Sequence, residues 1–201
     1  DPNNYIWYSG KLWRAVSVNN ETKTTKLVTQ WTISAIPYDN DSSAFAGSYM
    51  EAWLNDTSVD GFLGNLREPD KFIVTDYKWN ASQISDTSSR PEETTMVEDP
   101  VGLLNEYEYV TSYTGTTYTN GYLNNGLYWW TITPHGSSQM RYVCGPVYTD
   151  NSSGRNAIRP SINLKSSVKI TDGDGTIDNP YRLEGDNDTN LNGTLLNTRY
   201  S

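Results

Sequence analysis

Tyr128 to Leu164 reads YWWTITPHGSSQMRYVCGPVYTDNSSGRNAIRPSINL, and the fold is read outward from it. Tyr128 to Thr133 is aromatic and β-branched throughout, which predicts a strand that stops at Pro134. Gln139 to Tyr148 predicts a second strand and Arg159 to Leu164 a third. The Gly, Ser, Asn and Asp residues between them are polar and adaptable, which suits ligand contact better than core packing.

The rest of the chain fits this β-rich centre. Its 201 residues suit one domain, long enough to bury a core without disulfide staples. Mean hydropathy is low at −0.68, but seven Trp and 15 Tyr supply large apolar areas with polar tips. Net charge is −9, which argues against a nucleic-acid partner, because phosphate contacts need clustered Lys and Arg. Cys144 is the single cysteine, so an internal disulfide and a multi-cysteine metal site are excluded. No stretch approaches the ~18 apolar residues of a membrane-spanning helix.

Tyr5 to Tyr8, Ser9-Gly10 and Lys11 to Val18 predict a hairpin with a two-residue turn. Thr24 to Ile36 continues as a third strand of an antiparallel meander. Ser48-Tyr49-Met50-Glu51 fits a capping box opening a helix, with Tyr49, Met50, Trp53 and Leu54 as its apolar stripe. Ser58 predicts a second short helix that Glu68-Pro69-Asp70 stops. Phe72 to Tyr77 reads as extended, Lys78 to Val97 as a long surface loop, and Asp99-Pro100 as the start of another helix. Turn signals fill residues 111–126.

These landmarks, in order, are Asn4 to Trp7 with Leu12 to Val16, Met50 to Asn55, Tyr128 to Pro134, Ile158 to Leu164, and Gly173 to Thr176 through Asn179-Pro180-Tyr181. Their layout resembles a bacterial surface-protein domain family of uncharacterised function. That family has a C-type-lectin-like fold related to the formylglycine-generating-enzyme and phage tropism-determinant folds. The resemblance spans most of residues 4–184. Members usually show Trp-Trp-Leu-Arg-Ser-Pro where this chain has Trp129-Trp130-Thr131-Ile132-Thr133-Pro134, so the role of that Arg is not carried over. The resemblance implies that Trp129, Trp130, Pro134, Arg159 and Pro160 are framework. It also implies a ligand-facing surface between them: His135, Ser137, Ser138, Gln139 and Arg141, with Asn151, Ser152, Arg155 and Asn156.

Other constellations are weighed against plainer readings. Formylglycine-generating chemistry in the related fold uses a cysteine pair, which Cys144 alone cannot reproduce. His135 lacks the Gly-x-Ser-x-Gly elbow of a serine hydrolase and reads as a hydrogen-bonding loop residue. Asp172, Asp174 and Asp178 alternate like the first half of a calcium loop. Position 12, however, is Leu183 rather than a bidentate Glu, and the glycines read as a tight turn before a last strand at 181–183. Glu92/Glu93, Glu98/Asp99 and Glu106/Glu108 are acid pairs that a glycoside hydrolase could use. Tyr107, Tyr109, Tyr113, Tyr118, Tyr122 and Tyr128 line either a sugar- or peptide-binding surface or the core.

The expectation is an α+β, C-type-lectin-like domain over residues 1–184, with antiparallel sheets, two or three helices and a loop-rich C-terminal half. Residues 185–201 are expected to form a linker or the start of a following module. No cofactor is expected, calcium at the three aspartates being the alternative. The expected role is a non-catalytic adhesion module of a larger extracellular bacterial surface protein, flanked by further modules. Its partner would be a host or neighbouring-cell surface protein or glycan. A spacer in a tandem surface stalk and a carboxylate-based glycoside hydrolase are the alternatives.

Overall fold

In the computed structural model, which describes residues 2–86 and 89–186, strands β1 (Tyr5–Tyr8) and β2 (Lys11–Val18) form the expected hairpin. Ser9 and Gly10 both sit at positive φ, 55° and 71°, a turn geometry whose twist matches that of the strands it joins. Strand β3 (Thr25–Thr29) completes the meander.

The predicted third strand does not run on to Ile36. At Thr29 the side-chain hydroxyl donates to the carbonyl of Trp31 at 2.7 Å, giving the chain a local partner in place of the ladder. Strand β4 (Ser34–Pro37) then enters a different sheet.

Helix α1 (Tyr49–Leu54) opens as expected, with Ser48 Oγ accepting from the Glu51 amide at 2.9 Å. The return half of the box shifts by one residue, because Glu51 Oε1 accepts from the Gly47 amide. Met50 and Leu54 are buried while Tyr49 is exposed. Ser58 caps no α-helix; only a single 3-10 turn forms at Leu63–Asn65. Pro69 starts a helix rather than stopping one, since its fixed φ suits the first position of α2 (Pro69–Phe72).

The expected loop over residues 78–97 begins and ends in strands β5 (Lys78–Asn80) and β6 (Met96–Glu98), which pair with each other. Trp79 drives this: it is almost fully buried and its indole N–H donates to the Asp99 carbonyl at 2.8 Å. Asp99-Pro100 begins no helix, because residues 101–104 run extended through the core and Gly102 bridges Ser161. The helix starts later, as α3 (Glu106–Val110), with a reciprocal box between Asn105 and Glu108.

Seven strands follow: β7 (Trp129–His135), β8 (Gln139–Val143), β9 (Val147–Asn151), β10 (Arg155–Ile158), β11 (Ser161–Leu164), β12 (Ile170–Asp172) and β13 (Tyr181–Leu183). The C-terminal half is therefore strand-rich, not loop-rich. Strand β7 passes through Pro134, which an irregularity between Trp130 and Pro134 accommodates. The predicted second strand splits at Gly145 into a hairpin, and the predicted third begins earlier and breaks at Arg159-Pro160.

The protein is α+β, with three short α-helices and mixed sheets among the described residues. The six-stranded sheet has the order β11-β3-β2-β1-β13-β12, the five-stranded sheet β4-β10-β7-β8-β9, and β5-β6 form a third, two-stranded sheet. Pairing is antiparallel except for β1 with β13 and β10 with β7, a departure from wholly antiparallel sheets. Adjacent residues on β7 point to opposite faces, so Trp129 and Trp130 enter different cores. Trp130 joins the main core with Ile132 and Met140, and Trp129 packs with Val28, Tyr109 and Leu123.

Arg159 and Pro160 stand where the chain passes between the sheets. The Arg159 guanidinium is fully buried, donates to the Thr29 and Leu123 carbonyls and lies 4.8 Å from the Trp129 ring. Burial, with neighbouring Arg14, lowers its pKa to about 9, which leaves it charged at neutral pH. Gly185 and Asp186 are the described residues of the segment expected to be a linker. Asp186 still belongs to the fold, accepting from the Ser9 amide at 2.9 Å and pairing with Arg67 at 3.2 Å. The rest of that segment, 187–201, lies outside the described residues.

Candidate ligand-binding cleft

A cleft of about 830 Å³ opens between the ends of β2 and β3, the β5–β6 hairpin and helix α3. Its size lies within the range of small-molecule sites. Strands β3 and β11 supply the floor, where Lys26 and Asn163 are directly opposite each other in the antiparallel register. Cross-strand partners share a face, so both side chains meet the same space.

Lys26 is held on three sides. Its Nζ donates to Glu108 Oε2 at 2.9 Å and lies 5.1 Å from the centres of both the Tyr77 and Trp79 rings. Burial alone pulls its pKa down, but Glu108 and Tyr77 outweigh that and hold the ammonium above its ordinary value. Glu108 is fully engaged: Oε2 takes Lys26 and Oε1 takes the Asn105 amide of the capping box.

Asn163 is different. It is 2% exposed, and its Nδ2 makes no hydrogen bond. A buried amide donor without a partner costs ~1–3 kcal/mol, and this one belongs to a residue that lines the cleft. Leu103, Ile132 and Trp79 add apolar surface beside it. Tyr107 and Tyr122 form aromatic wall, and Arg90 lies 4.9 Å from the Tyr107 ring. The lining cations Lys26, Lys78 and Arg90 match Glu92, Glu93 and Glu108 one for one, so the cleft has no net charge within a chain of −9.

None of the nine expected ligand residues lines this cleft. His135, Ser137 and Ser138 are exposed at the β7–β8 turn, and Gln139 pairs with both His135 and Asn151 across the strands. Arg141 reaches His135 Nδ1 at 3.2 Å with one guanidinium nitrogen and Glu106 at 3.2 Å with another. Arg155 is exposed, whereas Ser152 and Asn156 are buried, and Ser152 Oγ, like Asn163 Nδ2, makes no hydrogen bond. The Ser152 backbone is used by Asp39 and Ser138, and Asn156 lies within the β4–β10 ladder. The hairpin is thus an exposed polar tip over a structural base.

The acid pairs are also placed. Glu92, Glu93 and Glu98 are exposed. Glu106 is buried against Arg141. Asp99 is influenced more by Glu51 than by its chain neighbour Glu98. Burial and hydrogen-bonded Glu51 push the Asp99 carboxyl up to about 8, and both residues lie outside the cleft. Asp172, Asp174 and Asp178 do not converge; no group of three acidic, His or Cys side chains fit to hold a metal occurs among the described residues. Asp174 instead accepts from the Thr176 amide and hydroxyl, which pins the turn into β13. The tyrosines divide between roles. Tyr109, Tyr113 and Tyr118 form edge-on contacts linked to Trp129, Tyr107 and Tyr122 line the cleft, and Tyr128 is exposed beside Tyr142.

Sequence reading missed Lys26, Asn163, Tyr77 and Trp79. A lysine inside an apolar strand was the available signal for Lys26; the partner strand and the β5–β6 hairpin were not visible locally. No family model, curated protein or solved structure matches the chain. No helix among the described residues is long and apolar enough to cross a membrane.

Proposed function

We propose that this chain is a non-catalytic ligand-binding module of a larger bacterial surface or secreted protein, serving adhesion to a protein or glycan on a C-type-lectin-like framework. The observation behind the reading is the cleft, with its unpaired Asn163 amide beside Lys26. The framework part rests on the ordered motifs, whose Trp129, Trp130, Arg159 and Pro160 are all buried. Glu108, the innermost carboxylate of the cleft, has both oxygens engaged, which favours binding over acid–base chemistry there.

Glycan-array and host-protein binding assays test the reading, using the native chain and a Tyr107→Ala/Arg90→Ala variant. A ligand should appear, and the variant should weaken it by about tenfold or more, as for loss of a stacking wall. Clean negatives on both arrays would remove the adhesion reading. Binding kept by this variant but lost on His135→Ala/Arg155→Ala would move the site to the exposed hairpin.

A further inference from the structure

The chemistry of the cleft floor is narrower than a general ligand site requires. The Asn163 Nδ2 is an unpaired donor, Lys26 is a second donor beside it, and Glu108, which pairs with Lys26, has both carboxylate oxygens engaged. The Trp79 ring centre lies 5.1 Å from Lys26 Nζ, and Leu103 and Ile132 are apolar residues lining the same cleft. A group that fits must present an acceptor oxygen and a small apolar body together. A sugar hydroxyl offers the oxygen without the apolar body, and a carboxylate would bring a charge that the neutral lining does not balance.

We infer that the floor of the cleft recognises an acetamido group carried by an N-acetylated amino sugar. The carbonyl accepts from Asn163 Nδ2, with Lys26 adjacent, and the methyl rests on Leu103, Ile132 and Trp79. Tyr107 and Tyr122 supply faces on which a pyranose ring packs. The hydroxyl and amide side chains of Asn80, Thr111 and Ser112 at the lining meet sugar hydroxyls. These walls favour a sugar over an acetylated lysine side chain, whose slender stem would leave them unused. The inference rests on the cleft being the ligand site.

Calorimetric titration of the purified chain compares three probes: N,N′-diacetylchitobiose, cellobiose (the same linkage with hydroxyls in place of acetamido groups) and an acetyl-lysine peptide. The expected result is chitobiose binding at least about tenfold tighter than cellobiose, with the preference erased in Asn163→Asp, which keeps shape but removes the donor. Tyr107→Ala, at a half-exposed position outside the core, should weaken chitobiose if Asn163→Asp fails to fold. Equal affinity for both disaccharides, or binding of the peptide alone, overturns the inference. If chitobiose fails while another ligand is lost on Tyr107→Ala/Arg90→Ala, this inference falls and the binding module stands. If nothing binds, both fall.

Discussion

Glu106 shows how one buried side chain sets a property of the whole. Burial pushes its carboxyl up to about 7, with Arg141 at 3.2 Å pulling the other way. A carboxyl that keeps its proton to higher pH in the folded chain than in the unfolded chain makes stability fall as pH rises between the two values. For Glu106 that interval runs from the ordinary 4.5 to about 7. Asp99, raised to about 8, contributes a decline of the same sign. Thermal unfolding midpoints should therefore drop from pH 5 to pH 7.5, and Glu106→Gln should flatten part of that drop; parallel curves would show that Glu106 titrates normally. Little of this was legible beforehand. Glu106 sits in an acidic run that reads as solvated surface, and only the pairing of β7 with β8 brings Arg141 beneath it. Asn163 was hidden in the same way, an ordinary polar residue inside a strand until Lys26 faces it across the ladder.

At the level of elements, local chemistry was readable wherever it was self-contained. The Ser9-Gly10 turn, the Ser48 cap and the start of β13 depend on residues a few positions apart, and they stand where the sequence placed them. Where an element depends on a distant partner, reading failed. The β5–β6 hairpin exists because Trp79 buries its ring against Gly102, a residue that looked like part of a helix. Gly102 has no room for more: a Cβ there would come within 2.3 Å of the Trp79 ring. Gly102→Ala should destabilise the fold by about 1–3 kcal/mol, the usual scale of core overpacking, measured by denaturant titration. Because Trp79 also lines the cleft, the same substitution should blunt ligand binding in the fraction that folds.

Across the molecule, strand content was legible and sheet membership was not. The chain crosses between the two large sheets at residues 30–33, inside a segment that reads as one continuous strand, and at Arg159-Pro160, where the sequence places the start of a strand. The crossings lie together: Thr29 N–H donates to the Pro160 carbonyl and Ile33 N–H to the Ile158 carbonyl. Each break is satisfied by the other, which no local pattern announces. The parallel pairing of β1 with β13 has a mechanical consequence. Oppositely directed tension applied through Asn4 and Asp186 acts along two parallel neighbours whose free ends face away from each other, so their hydrogen bonds are sheared together. Tension through Asn4 and Asn19 instead reaches the antiparallel β1–β2 hairpin from one end and unzips it bond by bond. In single-molecule pulling the first geometry should need the larger force, and equal forces would exclude the clamp. A strand pair no more than about 10 Å long would then let this domain transmit tension between the two ends of its fold while the cleft keeps its shape.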